Sequence, residues 1–156
     1  MKLSLRSEGG LTTIELIVSL AILTVLTIVV LTSLISFKKN QSLSKDSGTV
    51  VEVLRQARNQ TLSSKNSSNY GVHMATTTVT LFAGSSYSSG ASTNQDFLLS
   101  STDTILTISL AGGESNVVFN RLTGETAQNG TVVISSPDVS ETKTVTIYKT
   151  GLIEFQ

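Results

Sequence analysis

Gly10-Leu11-Thr12-Thr13-Ile14-Glu15 leads directly into the uncharged run Leu16 to Phe37, and the reading of that junction decides the fold. A run of more than about 18 apolar-dominated residues can cross a bilayer as a helix, since roughly 20 residues match the hydrocarbon thickness. Leu16 to Phe37 passes this threshold and holds neither Gly nor Pro. Its hydroxyl residues, Ser19, Thr24, Thr27, Thr32, Ser33 and Ser36, are compatible with lipid because a hydroxyl in a helix can bond the carbonyl one turn back.

Glu15 is the residue that needs a reason. An ionisable group at the mouth of a spanning segment is expensive and marks function by default, with its partner to be found. The local sequence offers one partner, a new amino terminus. Cutting between Gly10 and Leu11 would place an ammonium four residues before Glu15, about one helical turn and roughly 6 Å along the axis. The same geometry lets Glu15 meet the amine of a neighbouring subunit. In hydrocarbon a paired charge is strongly favoured over two lone ones, so the pair can set register between packed helices.

Gly10, the hydrophobic Leu11, Thr12-Thr13-Ile14, Glu15 and then Leu16-Ile17-Val18 resemble the type IV prepilin cleavage site. The resemblance implies removal of Met1 to Gly10 by prepilin peptidase, methylation of the Leu11 amine, and assembly with other pilin or pseudopilin subunits through a helical core. Processing would rest on Gly10 and Leu11, and assembly on Leu11 and Glu15. Positions 24 and 32, where major pilins often carry Gly and Pro, are both Thr here, as suits a pseudopilin or minor pilin. A basic start, Lys2 and Arg6, before an apolar run also fits an ordinary signal anchor. A cleavable signal is disfavoured, because the run exceeds the usual apolar length and no small-x-small site closes it. The remaining alternative is a plain single-pass protein with a β recognition domain. It predicts an uncut amino terminus and leaves Glu15 as a cost that the helix dipole only softens.

The chain has 156 residues, room for one domain beyond a leader and an anchor. The formal net charge is zero, so no global basic field points to nucleic acid or anionic lipid. Charged residues make up 14%, below the roughly 25% of soluble domains, and hydroxyl and amide residues fill the gap. Cysteine is absent, so no disulfide ties the carboxyl-terminal region. Lys2 and Arg6 before the span and Lys38, Lys39 and Lys45 after it nearly balance, so charge does not orient the segment. A cytoplasmic leader, a single pass through the cell (inner) membrane and a β domain outside follow from the prepilin resemblance alone.

Beyond Phe37 the pattern turns amphipathic. Leu43, Val50, Val51, Leu54, Ala57 and Leu62 form one stripe of a 3.6-residue helix, with Lys45, Asp46, Glu52, Arg55 and Arg58 on the other sides. The helix is expected to end in Ser63 to Asn69, a turn-rich cluster, and Gly48 leaves open a break near Lys45 to Gly48. From Tyr70 the period falls to two. Gly71 to Met74 and Thr76 to Phe82 read as a strand pair joined at Ala75, and Ala83 to Asp96 as a Ser/Gly-rich loop. After the short apolar piece Phe97 to Leu99, strands are expected at Thr104 to Leu110, Val117 to Phe119 and Thr131 to Ser135. Ser136-Pro137-Asp138 reads as a turn. Thr142 to Tyr148 and Leu152 to Phe155 would close a hairpin around Gly151. Helix first and short strands after it imply an α+β fold with a mainly antiparallel sheet. The expected organisation is leader 1–10, transmembrane and assembly helix 11–37, amphipathic continuation 38–69, and β domain 70–156.

This order resembles the GspH/FimT group of pseudopilins and minor pilins. The resemblance is carried by Leu54-Arg55-Gln56-Ala57-Arg58, Tyr70-Gly71-Val72-His73, Val118-Phe119 with Thr123-Gly124, and Thr146-Ile147-Tyr148 to Gly151-Leu152-Ile153.

No catalytic constellation is visible. His73 is the sole histidine, and without a second histidine or any cysteine the usual zinc ligand sets cannot form. A strand histidine of this kind is expected to be satisfied locally or solvated. No G-x-S-x-G elbow, Walker motif or G-x-G-x-x-G occurs, and Asp96, Asp103, Glu114 and Glu125 match no calcium loop. The expectation is therefore a structural subunit, not an enzyme, with no cofactor and no metal. DNA binding is the other class, because some FimT-type proteins take up DNA through a basic carboxyl-terminal region. Phosphate binding needs clustered cations, and here the final turn supplies Lys143 and Lys149 with Glu154 opposing them.

Overall fold

The computed structural model describes residues 10, 12–137 and 141–156, which divide into two units, one ending at Phe37 and one running from Lys38 to Gln156. The α-helix α1 spans Thr13–Leu62. In the first unit nothing of the apolar window is buried, and large side chains from Ile14 to Phe37 all stand exposed. The segment is long and apolar enough to cross a membrane. Ser19, Thr27, Thr32 and Ser36 bond carbonyls four residues back and Thr24 bonds Ala21, three back. These bonds satisfy hydroxyls that lipid would otherwise leave bare. Ser33, read in the same way, makes no such bond.

In the second unit α1 buries Leu43, Asp46, Ser47, Val50, Val51, Val53, Leu54, Ala57 and Thr61. Of the expected apolar stripe all but Leu62 are buried, and Val53 and Ser47, outside that stripe, are buried with them. Leu62 turns outward, 37% exposed, and Thr61 takes the buried position at the helix end. Asp46, expected on the polar side, is only 4% exposed. The break near Lys45 to Gly48 does not occur; Gly48 is an exposed residue inside the helix. The helix stops where Ser64 enters the left-handed region (φ 49°), followed by Asn66 and Ser67. Thr61 Oγ1 accepts the Tyr70 N–H at 2.9 Å, which ties the helix end to the first strand.

Among the described residues eight strands follow: β1 Tyr70–Met74, β2 Thr78–Ala83, β3 Gln95–Leu98, β4 Thr104–Leu110, β5 Asn116–Phe119, β6 Gly130–Ser135, β7 Thr142–Ile147 and β8 Ile153–Phe155. They form two fully antiparallel sheets, β3-β2-β1-β5 and β4-β6-β7-β8, so the class is α+β with two sheets. The β1–β2 connection takes Ala75 to Thr77, closed by Ala75 N–H to Thr78 O at 2.9 Å, and is longer than the tight join expected at Ala75. Thr76 therefore leaves the strand. Its carbonyl accepts Ile105 N–H, and the Thr77 carbonyl accepts Leu99 N–H, so this turn bonds both to the segment after β3 and to β4 of the other sheet. Gln95 and Asp96, assigned to the loop, belong to β3, paired with Leu81 and Thr80. Tyr148 and Leu152 fall outside β7 and β8; the Tyr148 N–H bonds the Leu152 carbonyl to close the hairpin. Pro137 lies in a turn as expected, while Asp138 lies outside the described residues.

One hydrophobic core collects Leu43, Val50, Val53, Leu54 and Ala57 from α1, Val72, Leu81 and Phe119 from the first sheet, and Val132, Ile134, Val145 and Ile147 from the second. All of it lies within residues 38–156. Phe82 is buried apart from this cluster, where its ring passes over Gly71 and meets Tyr87 edge-on.

Candidate functional site

The junction at Thr12 has a defined local geometry. Thr12 Oγ1 accepts the Glu15 N–H at 3.3 Å and Thr12 O accepts the Leu16 N–H at 3.2 Å. Thr12 is thus the N-cap of α1 and Glu15 the third helical residue, the T-x-x-E order of a capping box. The reading of Glu15 as a pairing group overlooked this second role, although the four-residue motif was visible in the sequence. Glu15 is exposed and stands in the first turn, where the dipole favours an anion. Gly10 is exposed, and an added Cβ there would meet nothing within 4 Å. Leu11 and residues 1–9 lie outside the described residues, and so does the expected contact between the Leu11 amine and Glu15.

Three of the scattered segments that carried the GspH/FimT resemblance meet at one corner of the second unit. Arg58 Nε donates to Gly124 O at 3.3 Å, and an Arg55 guanidinium N–H reaches Ile153 O at 3.4 Å. Gly151 (φ 76°) packs against the Gly124 carbonyl so closely that a Cβ would run into it. The other two, Tyr70–His73 and Val118-Phe119, pair as neighbouring strands.

His73 is satisfied locally. Its Nδ1 lies 2.7 Å from Asn116 Oδ1, and its ring stacks on Tyr87 with centroids 3.9 Å apart. Lys143 sits 3.3 Å from Glu141. Lys149 lies in the turn beyond the far end of β7, and the strand from Lys143 to Ile147 alone spans roughly 13 Å at the usual rise. The two lysines named for DNA are not brought together.

A buried carboxylate pair escaped the sequence reading. Asp46 Oδ2 accepts the Ser100 N–H at 2.6 Å, and Asp103, fully buried, accepts the hydroxyls of Ser42 at 2.9 Å and Thr102 at 3.3 Å. Burial raises the Asp46 carboxyl above its ordinary range. The Ser100 N–H opposes the rise, while the Asp103 hydrogen bond and charge add to it. Asp96 accepts the Thr80 hydroxyl at 2.6 Å. Among the described residues, no three His, Cys, Asp or Glu side chains converge as metal ligands would.

Comparison with protein-family models, with curated proteins and with solved structures finds no match for this chain.

Proposed function

We propose that the chain is a prepilin-like structural subunit, a minor pilin or pseudopilin of the GspH/FimT type, cleaved after Gly10 and assembled through its amino-terminal helix. Its place would be the cell (inner) membrane before assembly, with the β domain outside, and its partners prepilin peptidase and other pilin or pseudopilin subunits. The filament would be a type IV pilus, a type II secretion pseudopilus or a competence pseudopilus. The observation that carries the reading is one acidic residue, Glu15, in the first turn of a helix whose whole apolar window is exposed. Such a helix needs a partner for its surface, lipid or other helices, and an intramembrane carboxylate needs a cation. A freed Leu11 amine one turn away supplies the cation, and neighbouring helices of the same kind supply the surface. Mass spectrometry of the protein from its native cells tests this directly. The expected first residue is N-methylated Leu11. A chain still beginning at Met1 in cells that possess the peptidase overturns the assignment and leaves a membrane-anchored β domain.

A further inference from the structure

The outer face of the β3-β2-β1-β5 sheet bears a polar cavity of about 510 Å³, between the loop at Ser85 to Tyr87, strand β5 and the turn at Ala127-Gln128. Three of its walls are amides, and the oxygens of two of them, Asn69 and Gln128, are held by N–H and O–H donors of the protein. Asn69 Oδ1 accepts the Arg121 N–H at 3.2 Å. Asn116 Oδ1 faces His73 Nδ1, and Gln128 Oε1 accepts both the Val118 N–H at 3.3 Å and the Thr126 hydroxyl at 3.2 Å. An amide with its oxygen engaged has its orientation chosen, and its NH2 group is displayed as a donor. Among the described residues these NH2 groups have no hydrogen-bond partner, and neither do the Asn120 side-chain amide and the Glu114 carboxylate, which also line the cavity. Tyr87 forms a further wall, held in place by stacking on His73 and by the edge of Phe82.

We propose that this cavity binds a neutral or N-acetylated sugar residue of a glycan. The fixed NH2 donors of Asn69 and Gln128 require acceptors from the ligand, and the Glu114 carboxylate requires a donor. Sugar hydroxyls supply both, and an acetamido group adds a carbonyl and an N–H on one planar unit. Among the described residues no Lys or Arg lines the cavity, and Glu114 repels anions, which excludes phosphate and acidic sugars from the recognised class. An extended peptide added to the sheet edge is also disfavoured. β5 is the edge strand beside the cavity, and the Val118 N–H, which a peptide added there would need, is already taken by Gln128. This site is independent of the filament reading, since it uses residues 69–128 alone.

The test uses the full chain in lipid nanodiscs, because maltoside and glucoside detergents belong to the ligand class. Triacetylchitotriose and lactose are the neutral probes, with sialyllactose as the acidic one, and binding is read by saturation-transfer NMR and titration. The expected result is saturable binding of at least one neutral probe in the millimolar range or tighter, and none of sialyllactose. Asn120→Ala and Glu114→Gln alter exposed side chains without hydrogen bonds among the described residues, so their circular dichroism and melting should match the unaltered chain. Each should weaken binding by about fivefold or more, as loss of one hydrogen bond does. Lys149→Ala should change nothing. Absence of saturable binding, equal binding of the acidic probe, or affinity indifferent to both pocket variants overturns the proposal.

Discussion

Asp46 interrupts the apolar stripe of α1 with a carboxyl that burial makes reluctant to ionise, Asp103 adding to the effect and the Ser100 N–H opposing it. Between the ordinary value of 3.8 and its raised folded value, the folded chain holds a proton that the unfolded chain gives up. Stability from this group therefore falls as pH rises through that window, and is fully present below it. Asp46→Asn imitates the protonated form and keeps an oxygen for Ser100. It should raise the melting temperature at pH 7 and flatten the loss between the acidic window and neutrality. Destabilisation at pH 7 that disappears at the acidic end would mean that the charged form is the one the fold uses. Glu15 poses a different choice, because its cap and its charge are separable. Gln serves the third helical position of a capping box as Glu does, but carries no charge. Glu15→Gln should thus leave the helix start and cleavage after Gly10 intact while lowering incorporation into sheared filaments severalfold. Thr12→Ala should cost the helix about 1 kcal/mol through loss of the cap. Wild-type incorporation of Glu15→Gln would assign Glu15 to capping and not to assembly.

At the scale of elements, two glycines separate the effect of composition from the effect of contact. Gly48 lies inside α1, exposed, with open space where a Cβ would stand. Gly48→Ala should stabilise the fold by roughly 1 kcal/mol, the helix-propensity difference. Gly151 closes the β7–β8 hairpin in the left-handed region, with its own N–H bonded to Tyr148 O at 2.8 Å. There Gly151→Ala meets both backbone strain and the Gly124 carbonyl, and should destabilise by more than about 2 kcal/mol. Urea denaturation followed by circular dichroism reads both, and a loss of stability in the Gly48 variant would require a contact on that helix face. The elements themselves were legible where periodicity is strong, as in α1, β1, β4 and β6. They were illegible where pairing alone makes the strand. Gln95 and Asp96 show no apolar alternation, and become β3 through register with Leu81 and Thr80 and the Thr80–Asp96 hydrogen bond. Leu62 and Thr61 exchanged places because a stripe of 3.6 residues per turn leaves the terminal position undecided between neighbours. Asp46 and Asp103 lie 57 positions apart, and Asn69, Asn116 and Gln128 are scattered as widely, so no local spacing could announce either cluster.

For the whole molecule the decisive fact is where burial occurs. Every residue of the hydrophobic core, from Leu43 onward, belongs to residues 38–156, and the exposed apolar side chains of α1 before Lys38 contribute nothing to it. Hydrophobic burial is the main favourable term in folding, so the second unit holds the interactions its own stability requires. A chain beginning at Lys38 should therefore express without detergent and run as a monomer in light scattering. It should keep a cooperative melt, with the Asp46 pH dependence intact. A chain beginning at Val50 should not. It lacks Leu43, fully buried against both sheets' core, and leaves Asp103 and the Ser100 N–H without Ser42 and Asp46 as partners. Losing a large buried side chain costs about 2–5 kcal/mol, and orphaned buried polar groups add to that, which together approach the whole stability of a small domain. If the chain from Lys38 proved unfolded while the full chain in lipid melted cooperatively, the segment before Lys38 would have to supply stability that its complete exposure denies it. If the chain from Val50 folded as well as that from Lys38, the helix turn around Leu43 to Ser47 would be an appendage, and the buried carboxylate pair would have no part in holding the sheets.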